Sequence, residues 1–185
     1  MRRFRLAVSD QEDCFVEKSL DNILASLQKL IGLHRQLLDA CRAERTALVA
    51  ADVRQIQDAT LIKQGVVEAI RQAEAARIGH VAELAMSWKR PARELSLPNL
   101  IIALQGREPA FAEQLRSALN TITILIQRIT VQNDDNRQLV ERAMVNVDEM
   151  KRNVLGEAVP RSNTYTSQGQ RSGVTGGARL FTHEA

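Results

Sequence analysis

The fold is decided by residues 115–154, which read LRSALNTITILIQRITVQNDDNRQLVERAMVNVDEMKRNV. Their apolar positions recur in steps of three or four, which is the period of an amphipathic α-helix. We predict one helix over about 110–155, which would be roughly 70 Å long. Such a helix has to pair along its length with other helices, as in a coiled coil. The predicted seam consists of Leu115, Ala118, Ile122, Ile126, Ile129, Asn133, Asn136, Val140, Ala143, Val147, Met150 and Val154.

Two asparagines interrupt this seam. Asn133 and Asn136 occupy apolar positions, and Asp134 and Asp135 stand between them. A polar pair on a helical seam lowers stability, but it can fix the register and the choice of partner. The alternative is a solvent-exposed segment of the helix. We favour the register role and leave the alternative open.

Two further helices are predicted on the N-terminal side, over about 11–50 and onward to about Lys89. Asp52 is a good candidate for an N-cap between them, although the sequence also permits one helix to run straight through. His34 falls on the first seam and is interpreted as a partly buried histidine. The first seam consists of Leu20, Leu24, Leu27, Ile31, Leu38, Cys41 and Leu48, and the second of Ile56, Val67, Ile70, Ile78, Val81, Leu84 and Trp88.

Prolines and glycines mark the remaining boundaries. Residues 90–98 are predicted to form a connector, and Ser96 can start a short helix that ends at Leu104. A second break follows at 105–109, where a glycine precedes a proline. We therefore predict an all-α fold for residues 1–155: an elongated antiparallel bundle or coiled coil of three long helices plus one short helix. Whether the bundle counts three or four helices stays open.

The composition changes after Leu155. Residues 156–185 hold five of the nine glycines, with many Ser, Thr and Gln residues. This content is typical of a flexible tail. The tail nevertheless carries Tyr165, Leu180 and Phe181, which could dock on a partner or belong to a linker without a role of their own.

Charge and cysteine usage exclude several classes of function. The net charge is +3, the two signs are interspersed, and aromatic residues make up 3% of the chain. We therefore expect no nucleic-acid binding. Apolar runs are too short for membrane insertion, and no signal sequence follows Met1. Cys14 and Cys41 would lie roughly 40 Å apart on one helix, too far for a disulfide. Two reduced thiols favour a cytoplasmic location.

Motifs for catalysis or metal binding are missing from the sequence. Three residues before the histidines stand Ile31, Arg77 and Leu180, so the Glu-x-x-His pairs of di-iron bundles are absent. No phosphate-binding loop or nucleophile elbow is found. We expect neither catalytic residues, nor a cofactor, nor a metal, and therefore a protein that acts by binding other proteins.

The chain resembles the FlgN-type flagellar export chaperones in four stretches. The first runs from Leu37 to Asp52, and the second is a spaced set of residues between Lys63 and Arg77. The third is an N-x-x-N-x-x-L-hydrophobic signature, and the fourth lies in the tail. The third stretch consists of Asn133, Asn136, Leu139 and Val140, and the fourth contains Thr164, Tyr165, Gly169, Gln170 and Ala185.

The resemblance implies a cytoplasmic chaperone for the hook–filament junction proteins FlgK and FlgL. Such chaperones prevent premature assembly and deliver their cargo to the type III export gate. The family binds cargo through its C-terminal region, and a tail tyrosine, here Tyr165, contacts the gate protein FlhA. The ATPase-complex protein FliJ is a further implied partner. The expected partner-binding residues are Asn133, Asn136, Leu139, Val140, Val147, Tyr165, Gly169, Leu180 and Phe181.

The alternative function is that of a structural or adaptor coiled coil that acts by self-association. The sequence does not decide between a monomer and a homodimer.

Overall fold

The computed structural model describes residues 2–155, with side-chain surroundings from residue 15 to residue 154. The described chain is helical, which confirms the predicted all-α bundle of three long helices and one short helix. Its elements are α1 (Arg2–Ala50), α2 (Val53–Ser87), a 3₁₀ turn (Ala92–Glu94), α3 (Leu97–Leu104) and α4 (Pro109–Leu155). The first helix begins earlier than residue 11, and the other bounds lie within two residues of those predicted.

A sharp break separates α1 from α2 and settles the question that the sequence left open. The N–H of Asp52 donates to the carbonyl of Ala47, and the N–H of Ala51 donates to that of Leu48. This pattern is a Schellman motif, with Ala51 in the left-handed region at φ 52°. Asp52 then caps α2, because its Oδ1 accepts a hydrogen bond of 3.0 Å from the N–H of Gln55.

The second boundary, between α2 and α4, is built in the same way. Lys89 has a φ of 53°, and the N–H of Arg90 donates to the carbonyl of Ala85. This second Schellman motif ends α2 and turns the chain into the connector. Pro98 lies in the first turn of α3, and Pro109 is the first residue of α4. Both prolines occupy positions where the helix does not need their missing N–H.

The order of contacts fixes the directions of the helices. Glu44 and Lys63 pair across a tight turn, so α2 runs antiparallel to α1. Cys41 of α1 contacts Asn133 of α4, and Glu44, three residues further along α1, contacts Asn136, three residues further along α4. The described part of α4 that packs on α1 is therefore parallel to it. The core contains, among others, Leu20, Ile23, Leu27, Leu84, Leu100, Leu104, Ala112 and Leu115.

The buried face of α2 differs from the predicted seam. Val67 and Ile78 were expected in the core, but both are exposed. Ala59 and Ala73 are buried instead. The reason is the close backbone approach of α1 and α2, which small side chains permit. Counting only large apolar residues therefore identified the wrong positions along part of this helix.

The seam of α4 also needs one correction. Ile126 was expected to be buried, but about half of its side chain is exposed, whereas its neighbour Leu125 is buried against α1. A straight helix drifts relative to a strict seven-residue repeat, so the contact line moves sideways along a long helix. No helix among residues 2–155 is long and apolar enough to cross a bilayer.

Candidate functional site

Asn136 lies at the centre of a cluster of polar side chains inside the bundle. Only 4% of the residue is exposed. Its Nδ2 donates to the carbonyl of Cys41 and to Oε2 of Glu44, each at 2.8 Å. Its Oδ1 accepts a hydrogen bond of 3.1 Å from Gln132. Both ends of the amide are therefore satisfied, as a buried polar group requires.

Asn133, also on α4, connects the cluster to α2. Its Oδ1 accepts a hydrogen bond of 3.0 Å from Nζ of Lys63 on α2 and one of 3.3 Å from the thiol of Cys41. The ammonium of Lys63 also lies 2.7 Å from Oε2 of Glu44. We call these five residues, Cys41, Glu44, Lys63, Asn133 and Asn136, the polar cluster. It ties α1, α2 and α4 together at one level of the bundle.

The charges in the polar cluster are shielded from water. The side chains of Lys63 and Glu44 are only 22% and 15% exposed. Removing either partner would leave the other largely buried and uncompensated, which is costly. Burial raises the pKa of the Cys41 thiol; Lys63 lowers that pKa in part and Glu44 raises it further. The thiol therefore stays protonated and can donate to Asn133.

The polar cluster decides between the two interpretations of the asparagine pair. Asn136 is buried and bonded to α1, so the solvent-exposed alternative is wrong for it. Sliding α4 by one turn, about 5.4 Å, would break every hydrogen bond that it makes in the cluster. The arrangement thus favours a single register of α4 on α1 and α2. A direct role of Asn133 or Asn136 in partner binding stays a prediction.

Beyond the polar cluster, α4 presents apolar side chains to solvent. Leu139 is half-buried, and Val140 is already 39% exposed. The helical period continues through this stretch, and the apolar side chains at that spacing are exposed. Pairing along the whole length of α4 stays a prediction here. We call the five residues at this spacing the exposed seam: Val140, Met144, Val147, Met150 and Val154.

A groove of about 750 Å³ lies between α2 and α4 and was not predicted. Leu27, Leu30 and His34 of α1 form part of its lining, which is mostly apolar. On its α2 side, Arg77 donates from Nε to Glu74 Oε2 at 2.9 Å, and this hydrogen bond raises the pKa of Arg77. Residues of all four helices and of the connector line the groove, so no single stretch of sequence could indicate it.

The remaining predicted site residues cannot be placed. Tyr165, Gly169, Leu180 and Phe181 lie outside the described residues, as does the predicted tail as a whole. His34 is half-buried, as expected, and its Nδ1 lies 2.7 Å from the carbonyl of Leu30. Between residues 15 and 154, no three His, Cys, Asp or Glu side chains come together where they could hold a metal ion.

An all-α bundle with an apolar groove and an exposed apolar seam is typical of proteins that bind amphipathic helices. A family model described as FlgN protein matches residues 19–173. The match covers most of the chain, so the chain belongs to the FlgN family, whose members are flagellar export chaperones. No curated protein and no solved structure matches this chain.

The family match, over residues 19–173, covers most of the site residues described above. It includes the whole polar cluster and the whole exposed seam. It also includes Tyr165 and Gly169, whereas Leu180 and Phe181 lie beyond it.

Proposed function

We propose that this protein is a cytoplasmic chaperone for the hook–filament junction proteins FlgK and FlgL. It binds their terminal helical segments, prevents premature assembly and delivers them to the export gate. The observation that carries the proposal is the exposed seam, an apolar face at helical spacing that no described part of the chain covers. The coarser assignment to flagellar export rests on the family match.

The physical basis is the pairing of two amphipathic helices. The terminal helices of junction proteins carry apolar faces that would associate if they were left exposed. A cargo helix that lies against the exposed seam buries both faces, as in other helix-in-groove complexes. Burial of each aliphatic side chain contributes roughly 1.5–3 kcal/mol if it is complete. Three or four such contacts would contribute roughly 5–12 kcal/mol, which is comparable to the cost of association, so the seam alone would support at most weak, reversible binding.

The polar cluster limits the site at one end. It fixes the register of α4 immediately before Leu139 and Val140, and thereby positions the first turn of the exposed seam. Asn133 and Asn136 then influence cargo binding indirectly, because they fix the position of α4. A rigid first turn reduces the entropy that is lost when cargo binds.

The C-terminal residues complete the proposed partner interactions. Gly169, Leu180 and Phe181 belong to a cargo-binding tail, and Tyr165 contacts the gate protein FlhA. FliJ is the proposed contact at the ATPase complex. Ordering such a segment on binding would cost about 2–5 kcal/mol, which keeps the affinity moderate. Release at the gate then follows from competition between sites and needs no nucleotide.

The role of the exposed seam is tested with a matched pair of valine substitutions. Val147→Ser removes an apolar contact from the seam, whereas Val131→Ser changes an exposed valine that precedes the polar cluster. We expect the Val147 variant to bind purified FlgK at least about tenfold more weakly, because one buried valine is worth roughly 1.5 kcal/mol or more. Equal affinities of both variants and the wild type would reject the seam as the cargo site.

The tail is tested by removing all residues after Gly156. We expect the bundle to remain helical and cargo binding to be lost. Full affinity of the shortened protein for FlgK would show that the tail is not required for cargo.

The gate contact is tested with Tyr165→Ala. We expect unchanged cargo binding and weaker binding to the cytoplasmic domain of FlhA. Equal binding of both forms to FlhA would count against this role of Tyr165.

The alternative, an adaptor that acts by self-association, makes a different prediction. Analytical ultracentrifugation of an adaptor would show a dimer or filament that persists on dilution, with no FlgK retained in a pull-down. A chaperone forms a defined complex with cargo whatever its own oligomeric state.

A further inference from the structure

A positively charged pocket lies in the connector between α2 and α4. It has a volume of about 720 Å³ and is separate from the groove, the exposed seam and the polar cluster. Trp88 contributes an aromatic side chain at the end of α2, and Ile102 contributes an aliphatic one on α3. The lining also includes Arg90, Glu94, Asn99 and Arg107.

The backbone of the connector holds this pocket in place. The left-handed conformation of Lys89 ends α2 and places Arg90 directly after the turn. Asn99 Nδ2 on α3 donates a hydrogen bond of 2.9 Å to the carbonyl of Glu94. Leu95 is buried in the core between these points and anchors the segment. The pocket is therefore built on fixed elements at both of its sides.

The charges around the pocket are unbalanced. Two arginines and one carboxylate line it, a net charge of +1 (2 − 1). Neither arginine forms an ion pair with another described side chain, in contrast to many charged residues on the helices. The arginines are Arg90 and Arg107, and the carboxylate is Glu94.

Apolar surface accompanies the positive charge. Ile102 is 68% exposed although it lies on the most apolar helix of the chain, and Trp88 is half-buried beside it. Aromatic and arginine side chains are the residues that most often dominate binding energy at protein interfaces. Unpaired arginines recognise carboxylates through charge-assisted hydrogen bonds.

We infer that this connector pocket is a docking site for an acidic segment of a partner protein. Carboxylates of the segment face Arg90 and Arg107, and one apolar side chain packs on Trp88 and Ile102. The site goes beyond the proposed chaperone function, because it uses neither the exposed seam nor the tail. A nucleic acid fits less well, since Glu94 lines the pocket and the cations do not form a stripe along one face.

The inference is tested on the full-length protein with a random dodecapeptide library displayed on phage. We expect the selected peptides to be rich in Asp and Glu around one apolar residue. A resynthesised peptide should bind at least roughly tenfold more weakly to the double variant Arg90→Glu, Arg107→Glu, because two attractive pairs become repulsive. Raising the salt from 50 to 500 mM should weaken binding to the wild type as well.

The control is Arg54→Glu, which reverses an exposed cation in the first turn of α2. Its peptide affinity should equal that of the wild type. Circular dichroism melting checks that the double variant is folded; if it is not, Ile102→Ser replaces it and should weaken peptide binding severalfold.

Three results would overturn the inference. The first is selected peptides without acidic enrichment, and the second is an affinity unchanged in the double variant or in the folded Ile102→Ser variant. The third is tighter binding to a single-stranded oligonucleotide than to the acidic peptide, which would assign the pocket to a different class of partner.

Discussion

The two halves of α4 share one periodicity but differ in what they contact. In the first half, Leu115 is fully buried and Ile129 packs against α1. In the second half, Val147 is half exposed and Met144 is 64% exposed. Apolar side chains recur every three or four residues in both halves. Periodicity therefore shows that a helix has an apolar face, but it does not show whether the partner of that face belongs to the same chain.

The polar cluster lies where the seam of α4 changes from mostly buried to exposed. Before Asn133 the seam residues Leu115, Ala118 and Ile129 are buried, although Ile126 is half exposed; after Asn136 the described seam residues are exposed. A buried, fully bonded set of polar groups fixes one alignment of the helices, whereas aliphatic contacts alone tolerate several. The cluster therefore separates the buried stretch of α4 from the exposed stretch that we propose binds cargo.

The largest expected effect contrasts the two halves directly. Leu115→Ala should lower the free energy of unfolding by about 2–5 kcal/mol, because it leaves a cavity in the core. Met144→Ala should change it by less than about 0.5 kcal/mol, since that side chain is exposed. Urea unfolding followed by circular dichroism measures both values. Similar losses in the two variants would mean that the second half of α4 is also paired.

The second-largest expected effect on stability concerns the polar cluster, which lies between the two halves of α4. Asn136→Ala should lower the free energy of unfolding by about 1–3 kcal/mol, because the Glu44 carboxylate loses a buried donor. The matched control is Asn120→Ala, which changes an exposed asparagine of the same helix and should have little effect. Urea unfolding compares the two variants. If both are as stable as the wild type, the polar cluster does not fix the position of α4.

The Cys41 thiol of the polar cluster should make the free energy of unfolding depend on pH. Its pKa in the folded protein is raised above the ordinary value of 9.0, chiefly by burial. The unfolded chain therefore loses this proton first, and stability falls as the pH rises above about 9 toward the raised pKa of the folded state. In a Cys14→Ser background, Cys41→Ala should remove this part of the decline. Identical declines in urea unfolding between pH 8 and pH 10.5 would contradict the assignment.

The smallest effects concern the backbone at the first break. Ala51→Gly should raise the free energy of unfolding by about 0.5–1 kcal/mol, because a glycine adopts a φ of 52° without strain. Ala43→Gly, in the interior of α1, should lower it by a similar amount. Thermal melting resolves the opposite signs. Destabilisation by both substitutions would mean that Ala51 does not end α1 in the left-handed conformation.

The sequence predicts the helices well, because their boundaries depend on local chemistry. Asp52, Pro98 and Pro109 act within a few residues of their own positions, so their roles as caps and starts can be read from the chain. Burial is less predictable where it depends on neighbouring helices. The alanines of α2 are buried because α1 approaches closely, which no pattern within α2 reveals.

The candidate site could be predicted only in part. Asn133 and Asn136 stand out on an apolar seam, so their unusual position was visible. Their partners Glu44 and Lys63 come from two other helices, and nothing in the local sequence connects them. The groove was missed for the same reason, since it is lined by side chains between Leu27 and Ile126. The connector pocket is lined by residues of one short stretch, but its shape depends on the turn at Lys89 and on the packing of α3, which the local pattern does not reveal.

Hydrogen exchange of α4, with and without a peptide copied from the terminal helix of FlgK, tests the central claim most directly. In the free protein, amides of residues 140–154 should exchange faster than those of residues 115–136, because tertiary contacts protect only the first half. Adding the peptide should slow exchange in residues 140–154 and leave residues 115–136 unchanged. Exchange in residues 140–154 that is unaltered by bound peptide would contradict the account.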